Sequence, residues 1–442
     1  MSVIELDMST SVEGLFRRVA KESGAFWLDG ERTDGATFMG FAPRAQLVLR
    51  ADGRLVEIAD ERRRALSREP LQAMEDFVAG ARAGDVPDGV PHTVGYFAYD
   101  LAHAIEPRIR PRRGPRARLP LALLARYDAV LEVRDTDEGA RGERSRGRCE
   151  VRVHAPTTAA AERAACAVRD ATAGAPPERR ASGRPARIVE QPRVERHVAA
   201  VERALAYIAA GDVYQVNLAQ RFRVASDEPA SETYLRMRAA QHVPYGVFLH
   251  CGRFAVLCGS PERFVRVAGS TIETEPIKGT RPRAADPAGD AALQAALLGD
   301  PKERAEHVMI VDLERNDLGR ICATGSVQVP SLMRVESFAT LHHLVSTVRG
   351  TLRDDVGLAA LLRATFPGGS ITGAPKIRAA QVIAELEQQP REIYTGAVAW
   401  FRGARDFDSA IAIRTAVACD GVYTYHAGGG IVADSDPRRE HD

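Results

Sequence analysis

Lysine is nearly missing from this 442-residue chain: of 60 basic residues only four are Lys, at positions 21, 278, 302 and 376. Arg has taken over the ordinary surface role. A Lys that persists marks a place where guanidinium cannot substitute, because only an amine can lose its proton and attack carbon. No run of 18 apolar residues occurs, so no membrane-spanning helix is expected. Met1 to Asp7 lacks a basic stretch leading into an apolar one, so no secretory signal is expected. The six cysteines form no CxxC pair and read as reduced, mostly buried thiols of a cytoplasmic protein. Charge of one sign is not in excess. Sixty basic residues face 59 acidic ones, which argues against a nucleic-acid binder.

What is present begins with order along the chain. Residues 1–172 read as one N-terminal region. It is interrupted by polar tracts at 107–120 and 135–148 that carry too little apolar surface to pack. A Pro-, Gly- and Arg-rich linker spans 173–193, and 194–442 form the second region. There, Val194, Val198, Val201, Leu205 and Ile208 step by four and three, which predicts an amphipathic helix ending at Gly211-Asp212. Extended chain follows from Val213 to Phe222. Hairpins are predicted around Cys251-Gly252 and Gly269-Ser270. Helices are expected at 302–313, 357–363 and 375–386, and strands at 395–401, 409–417 and 422–426. Strands followed by strands, with helices in clusters, predict an α+β fold with antiparallel sheets.

The chemistry-bearing residues gather in this second region. Lys278 lies in Thr274-Glu275-Pro276-Ile277-Lys278-Gly279-Thr280-Arg281. Glu306 shares a helical stripe with Met309, Ile310 and Leu313. A carboxylate on such a stripe needs a compensating cation, either Arg304 or Arg320 in a salt bridge or a Mg²⁺ ion. Glu262, beside Phe264 at a strand end, is a candidate general acid. Pro367-Gly368-Gly369-Ser370-Ile371-Thr372-Gly373 leads into Pro375. It reads as a helix N-terminus whose free amides favour an anion, though without P-loop spacing. Ala427 to Gly430 reads as a glycine loop after a strand. Arg414 interrupts an apolar strand and suits a ligand carboxylate.

These motifs resemble the chorismate-utilising enzymes, and within them component I of aminodeoxychorismate synthase. The resemblance runs from about Val194 onward, through Gly211–Leu218, Ser260–Phe264, Pro276–Arg283, Arg304–His307, Asp312–Leu318, Pro367–Lys376, Tyr394–Gly396 and Gly428–Ser435. It implies antiparallel sheets packed as a sandwich and flanked by helices. It also implies an amino-group transfer to chorismate in para-aminobenzoate and folate synthesis. Lys278, Glu262 and His343 would be catalytic, with Lys278 the covalent nucleophile. Gln215, Thr280, Ser370, Tyr394, Arg414, Gly428, Gly429 and Gly430 would bind substrate. Glu306 and Glu440 would hold Mg²⁺. Gln215 stands where isochorismate-forming members carry a water-activating Lys, and Lys278 stands where anthranilate synthases usually have Ala.

The resemblance implies further that ammonia comes from a separate glutaminase subunit, since no GxCxG-type nucleophile occurs. The family pattern places a second metal-binding Glu just past position 442, which leaves the metal shell short as the sequence stands. The same-class alternative is anthranilate synthase component I. Against it stands the lack of a Leu-Leu-Glu-Ser motif, the matching region reading Phe26-Trp27-Leu28-Asp29-Gly30. The different-class alternative is a non-catalytic chorismate-binding protein.

Overall fold

The computed structural model describes residues 2–29, 37–60, 62–80, 89–109, 117–135, 148–173, 185–241 and 243–441. Most of the 173–193 linker and of the two polar tracts lies outside the described residues. The described strands form two antiparallel sheets of twelve strands each, eleven in a continuous order, with 373–374 pairing beside 215–225 in the first and 328–337 beside 341–351 in the second. The first runs in the order 2–8, 149–155, 130–135, 37–40, 26–28, 245–250, 254–260, 415–419, 422–431, 215–225, 187–190. The second runs 277–282, 341–351, 271–275, 263–268, 406–411, 397–403, 93–97, 122–126, 45–49, 55–59, 62–66. Each sheet therefore draws strands from both sides of the linker.

Strand alternation explains the layering, since neighbouring side chains point to opposite faces. Phe26, Val247 and Val256 of the first sheet meet Tyr96, Leu123, Val398 and Trp400 of the second in a core between the sheets. The first sheet's other face packs on the helices Val12–Val19, Thr158–Thr172 and Ala230–Ala240 through Leu15, Phe16, Val168 and Tyr234. The second sheet's outer face joins the core that holds Pro70–Ala79, Leu358–Thr365, Lys376–Leu386 and Pro301–Gly319. The fold is thus the expected α+β sandwich flanked by helices. All six cysteines are unpaired, although Cys166 is exposed rather than buried. Among the described residues no helix is long and apolar enough to cross a membrane.

Three local expectations are corrected. The stretch 409–417 is not one strand. Asp406–Ile411 belongs to the second sheet and Thr415–Cys419 to the first, and the chain crosses between them at Arg414, whose φ is +50°. Gly428 to Gly430 do not form a loop but lie inside the strand Val422–Ile431, paired with Gln215–Ala225. The helix expected at 302–313 runs from Pro301 to Gly319, capped by the Asp300 carboxylate.

Candidate active site

Two places where strands pass from one sheet to the other lie side by side and create the site. Phe254–Ser260 is in the first sheet and Arg263–Ala268 in the second, so Glu262 sits at the first crossing. Arg414 sits at the other. Backbone bonds stitch the two together: the Ile411 amide donates to the Glu262 carbonyl at 3.0 Å, and the Gly259 amide to the Arg414 carbonyl at 3.1 Å. Strands that switch sheets form corners, and corners expose side chains that a flat strand would bury or pair. Arg263, next to Glu262, is buried and locks the corner through Glu275 at 2.6 Å and Asp408 at 3.1 Å. Nothing in the local pattern marked Arg263 in that role.

Lys278 reaches the same corner from Ile277–Pro282. That strand pairs with Leu341–Thr351, and its register slips between Lys278 and Thr280. Gly279 takes φ +79° at the slip, and a β-carbon there would lie 3.0 Å from Leu297. A bulge of this kind re-aims the flanking side chains. The Lys278 amine donates to the Ser370 carbonyl at 3.0 Å. Thr280 and His343 pair at 3.0 Å, and Arg414 Nη2 donates to His343 Nε2 at 3.4 Å.

The electrostatics follow from burial. Glu262 is 4% exposed, and desolvation pushes its carboxyl up to about 7 against the lowering pull of Ser370, Lys278 and Arg414. Desolvation also lowers the Lys278 amine from its ordinary range, with Glu262, Glu306 and Glu303 pulling the other way. Burial, reinforced by Arg414, brings His343 down to about 4, so its imidazole is neutral at ordinary pH. An imidazole in that state orients Arg414 and Thr280 and is a poor acid at neutrality.

Gln215 is wholly buried, and neither its amide oxygen nor its nitrogen has a hydrogen-bond partner among the described residues. Its nitrogen fills the space where Gly430 would carry a β-carbon. Gly428 presses equally hard on the Leu218 carbonyl. The Ser370 hydroxyl is buried beside Glu262, whose carboxyl it helps to lower, but makes no well-formed hydrogen bond. Unpaired buried polar groups of this kind are costly unless a ligand satisfies them. Tyr394 is buried and stacks on His426 with ring centroids 5.2 Å apart.

Glu306 lies at the edge of the cleft. The fully buried stripe of its helix is instead His307, Ile310, Val311, Glu314, Asp317 and Leu318. Neither expected Arg neutralises it: Arg304 donates to the Leu298 carbonyl and Arg320 to that of Ala364. Burial raises the Glu306 carboxyl against the lowering pull of Lys278 and Lys302, and Glu303 and Glu440 add to the rise. Glu440 accepts from Ser435 Oγ at 2.7 Å, beside Gly429. Glu303 is paired with Arg281, whereas among the described residues Glu306 and Glu440 have no ion-pair partner, and such carboxylates suit a hard divalent ion. Among the described residues no three metal-binding side chains converge into a cage. Two carboxylates with open positions fit Mg²⁺, which usually keeps sites for substrate and water.

The glycine-rich loop at 367–373 differs from expectation. Three of its amides are taken up within the fold: Gly369 donates to Glu314 Oε1 at 3.0 Å, and Thr372 and Gly373 donate to the Gly369 carbonyl. Arg391, wholly buried, holds the same loop through the Ile371 carbonyl at 3.0 Å and the strand 215–225 through the Asn217 carbonyl at 2.8 Å.

Of the thirteen residues named from the sequence, Lys278, Glu262, Ser370, Thr280, His343 and Arg414 meet at this corner, Gln215 and Gly428 to Gly430 lie on paired strands, Tyr394 stacks against one of those strands, and Glu306 and Glu440 stand apart from the corner. Comparison with known families places the architecture. The family described as chorismate binding enzyme matches residues 23–442. The chain belongs to that family.

Within the family the relatives point two ways. The chain is 49% identical over 236 residues to aminodeoxychorismate synthase component 1 of Klebsiella aerogenes, a match covering 53% of this chain and 52% of that protein. The Escherichia coli counterpart is 46% identical over a similar share. The match thus spans about half the length of these curated relatives. Anthranilate synthase component 1 of Pseudomonas putida is 35% identical over 451 residues, 96% of this chain and 89% of that protein. The crystal structure of anthranilate synthase component I from Streptococcus pneumoniae superposes with a TM-score of 0.78 at 28% identity, covering 91% of this chain and 89% of that one.

Proposed function

We propose that this chain converts chorismate and ammonia to 4-amino-4-deoxychorismate, with Lys278 as a transient covalent nucleophile. The observation that carries the reading is a desolvated amine and a buried, high-pKa carboxyl meeting at one corner, both beside the Ser370 segment. An amine pulled toward neutrality can attack carbon, and a carboxyl at about 7 can donate a proton at working pH.

Neutral Lys278 forms a bond to ring carbon C2, both ring double bonds shift by one position, and the C4–oxygen bond breaks. Glu262 delivers its proton to the departing hydroxyl, which leaves as water. Ammonia then bonds to C4, both double bonds shift back, the Lys278 nitrogen is expelled from C2, and the surplus proton returns to Glu262. Arg414, oriented by neutral His343, takes a substrate carboxylate in bidentate fashion. The unsatisfied Gln215 amide and Ser370 hydroxyl supply further polar contacts. Glu306 and Glu440 would hold Mg²⁺, which when bound supplies a fixed positive charge for the ring carboxylate. Ammonia would come from a glutaminase subunit acting in trans, as the component 1 names of the relatives suggest.

A second reading is favoured by the long match to anthranilate synthase component 1. One experiment separates the two. Chorismate, Mg²⁺ and ammonium are incubated with the chain, and the products are identified by mass. Aminodeoxychorismate that disappears in K278A, with an adduct on Lys278 of the parent that weighs chorismate less one water, supports the proposal. Fluorescent anthranilate with pyruvate, undiminished in K278A, refutes it.

A further inference from the structure

The loop that meets Lys278 and Glu262 is itself held by a carboxyl outside the reacting groups. Glu314 is 4% exposed and lies two turns along the helix from Glu306. Its Oε1 accepts from the Gly369 amide at 3.0 Å. The fit is close: a β-carbon on Gly369 would lie 2.6 Å from Leu313 Cδ2 and 2.9 Å from Glu314 Oε1. The loop is thus pressed onto the helix with room for backbone alone.

The next residue, Ser370, gives its carbonyl to the Lys278 amine at 3.0 Å and turns its hydroxyl toward Glu262. One peptide unit therefore separates the Glu314 anchor from the group that aims the amine. On the same helix Asp317 pairs with Lys376, which also donates to the Thr365 carbonyl at 2.7 Å. That pair fixes the far side of the loop and leaves Glu314 without a cation bonded to it among the described residues. The charged groups that act on Glu314 are Asp317, Lys376 and Glu262.

We propose that Glu314 is a positioning residue, which sets the reach of Lys278 and the setting of Glu262 by fixing the Gly369-Ser370 peptide. The proposal deepens the aminodeoxychorismate reading and rests on it for its rate consequences. Its geometric part does not.

The test uses the full chain with E314Q and E314M. The Gln carbonyl can still accept from the Gly369 amide, whereas the Met side chain fills the space and cannot. Two quantities are measured: steady-state amination of chorismate, and the pH-dependent rate at which acetic anhydride labels Lys278, read by peptide mass. A small displacement of a reacting group is costly. E314M is therefore expected to lose about 10-fold or more in kcat with KM within about 2-fold, and E314Q to stay within about 3-fold of the parent. Lys278 labelling in E314M should change by about 3-fold or more at fixed pH, with E314Q near the parent. Should E314M lose its cooperative melt, E314D, which withdraws the acceptor by one methylene, takes its place under the same criteria.

Parent-like kcat and labelling in E314M overturn the proposal. So does equal impairment of E314Q and E314M, which would make charge rather than hydrogen-bond acceptance the cause. If Lys278 labelling follows the expected order but no variant, the parent included, makes aminodeoxychorismate, the positioning role stands and the reaction assignment fails.

Discussion

Glu262 and Lys278 make opposite demands on the solution. In the proposed reaction the carboxyl must keep its proton and the amine must lose one. The Glu262 proton leaves through about pH 7, so turnover falls on the alkaline side, whereas the neutral fraction of Lys278 grows as pH rises. E262Q should lower kcat by about 100-fold and abolish the alkaline limb of kcat/KM measured from about pH 5.5 to 9.5. A retained limb would move the acid to another group. E306Q should weaken Mg²⁺ binding by about 10-fold or more in a calorimetric titration without chorismate. Unaltered binding would remove Glu306 from the metal site. At this scale the sequence was readable through scarcity. Of the four Lys residues, 278 lines the site and 376 is a partly buried member of an ion pair, while 21 and 302 are exposed. Glu314 escaped notice because the periodicity appeared to end at Leu313. Six further residues of helix carry Glu314 and Asp317 onto the buried stripe.

Strands and helices were legible where pattern is local. Both hairpins, at 245–260 and 263–275, fall where Cys251-Gly252 and Gly269-Ser270 turn the chain. Sheet switching was not legible. Ile411-Ala412-Ile413 is apolar throughout, and a non-glycine residue at φ +50° leaves no trace in periodicity. The glycines at 428–430 were read as a loop because glycine is scarce inside strands. Here each one gives room to a neighbour. Gly428→Ala would drive a methyl into the Leu218 carbonyl on the paired strand. It should cost about 1–3 kcal/mol in denaturant unfolding, with a raised KM for chorismate. Gly299→Ala, whose added carbon meets nothing within 4 Å, is expected to change stability by about 0.5 kcal/mol or less. Equal effects at the two positions would contradict the packing described.

For the whole molecule, the buried acid couples chemistry to stability. In the unfolded chain a Glu ionises near 4.5, whereas folded Glu262 holds its proton up to about 7. The folded state therefore gains from this proton fully below 4.5 and loses that gain as pH rises through 7. His307 and His343, both brought down to about 4 by burial, act in the opposite sense over an overlapping window. The difference between E262Q and the parent isolates the carboxyl. Melting temperature should shift in favour of E262Q as pH rises from about 4.5 to 7 and level off beyond. A constant difference would mean that Glu262 is ionised in the fold.

Because the acid and the guanidinium hang on two neighbouring crossings between the sheets, their separation is a gauge of how the layers sit together. A slip of either layer along its neighbour would part them. Under the proposed reaction, Trp400, Val398 and Tyr96, packed between the layers and remote in sequence from Lys278, should therefore help to set the catalytic rate. Repacking that seam should be felt in turnover before it is felt in melting.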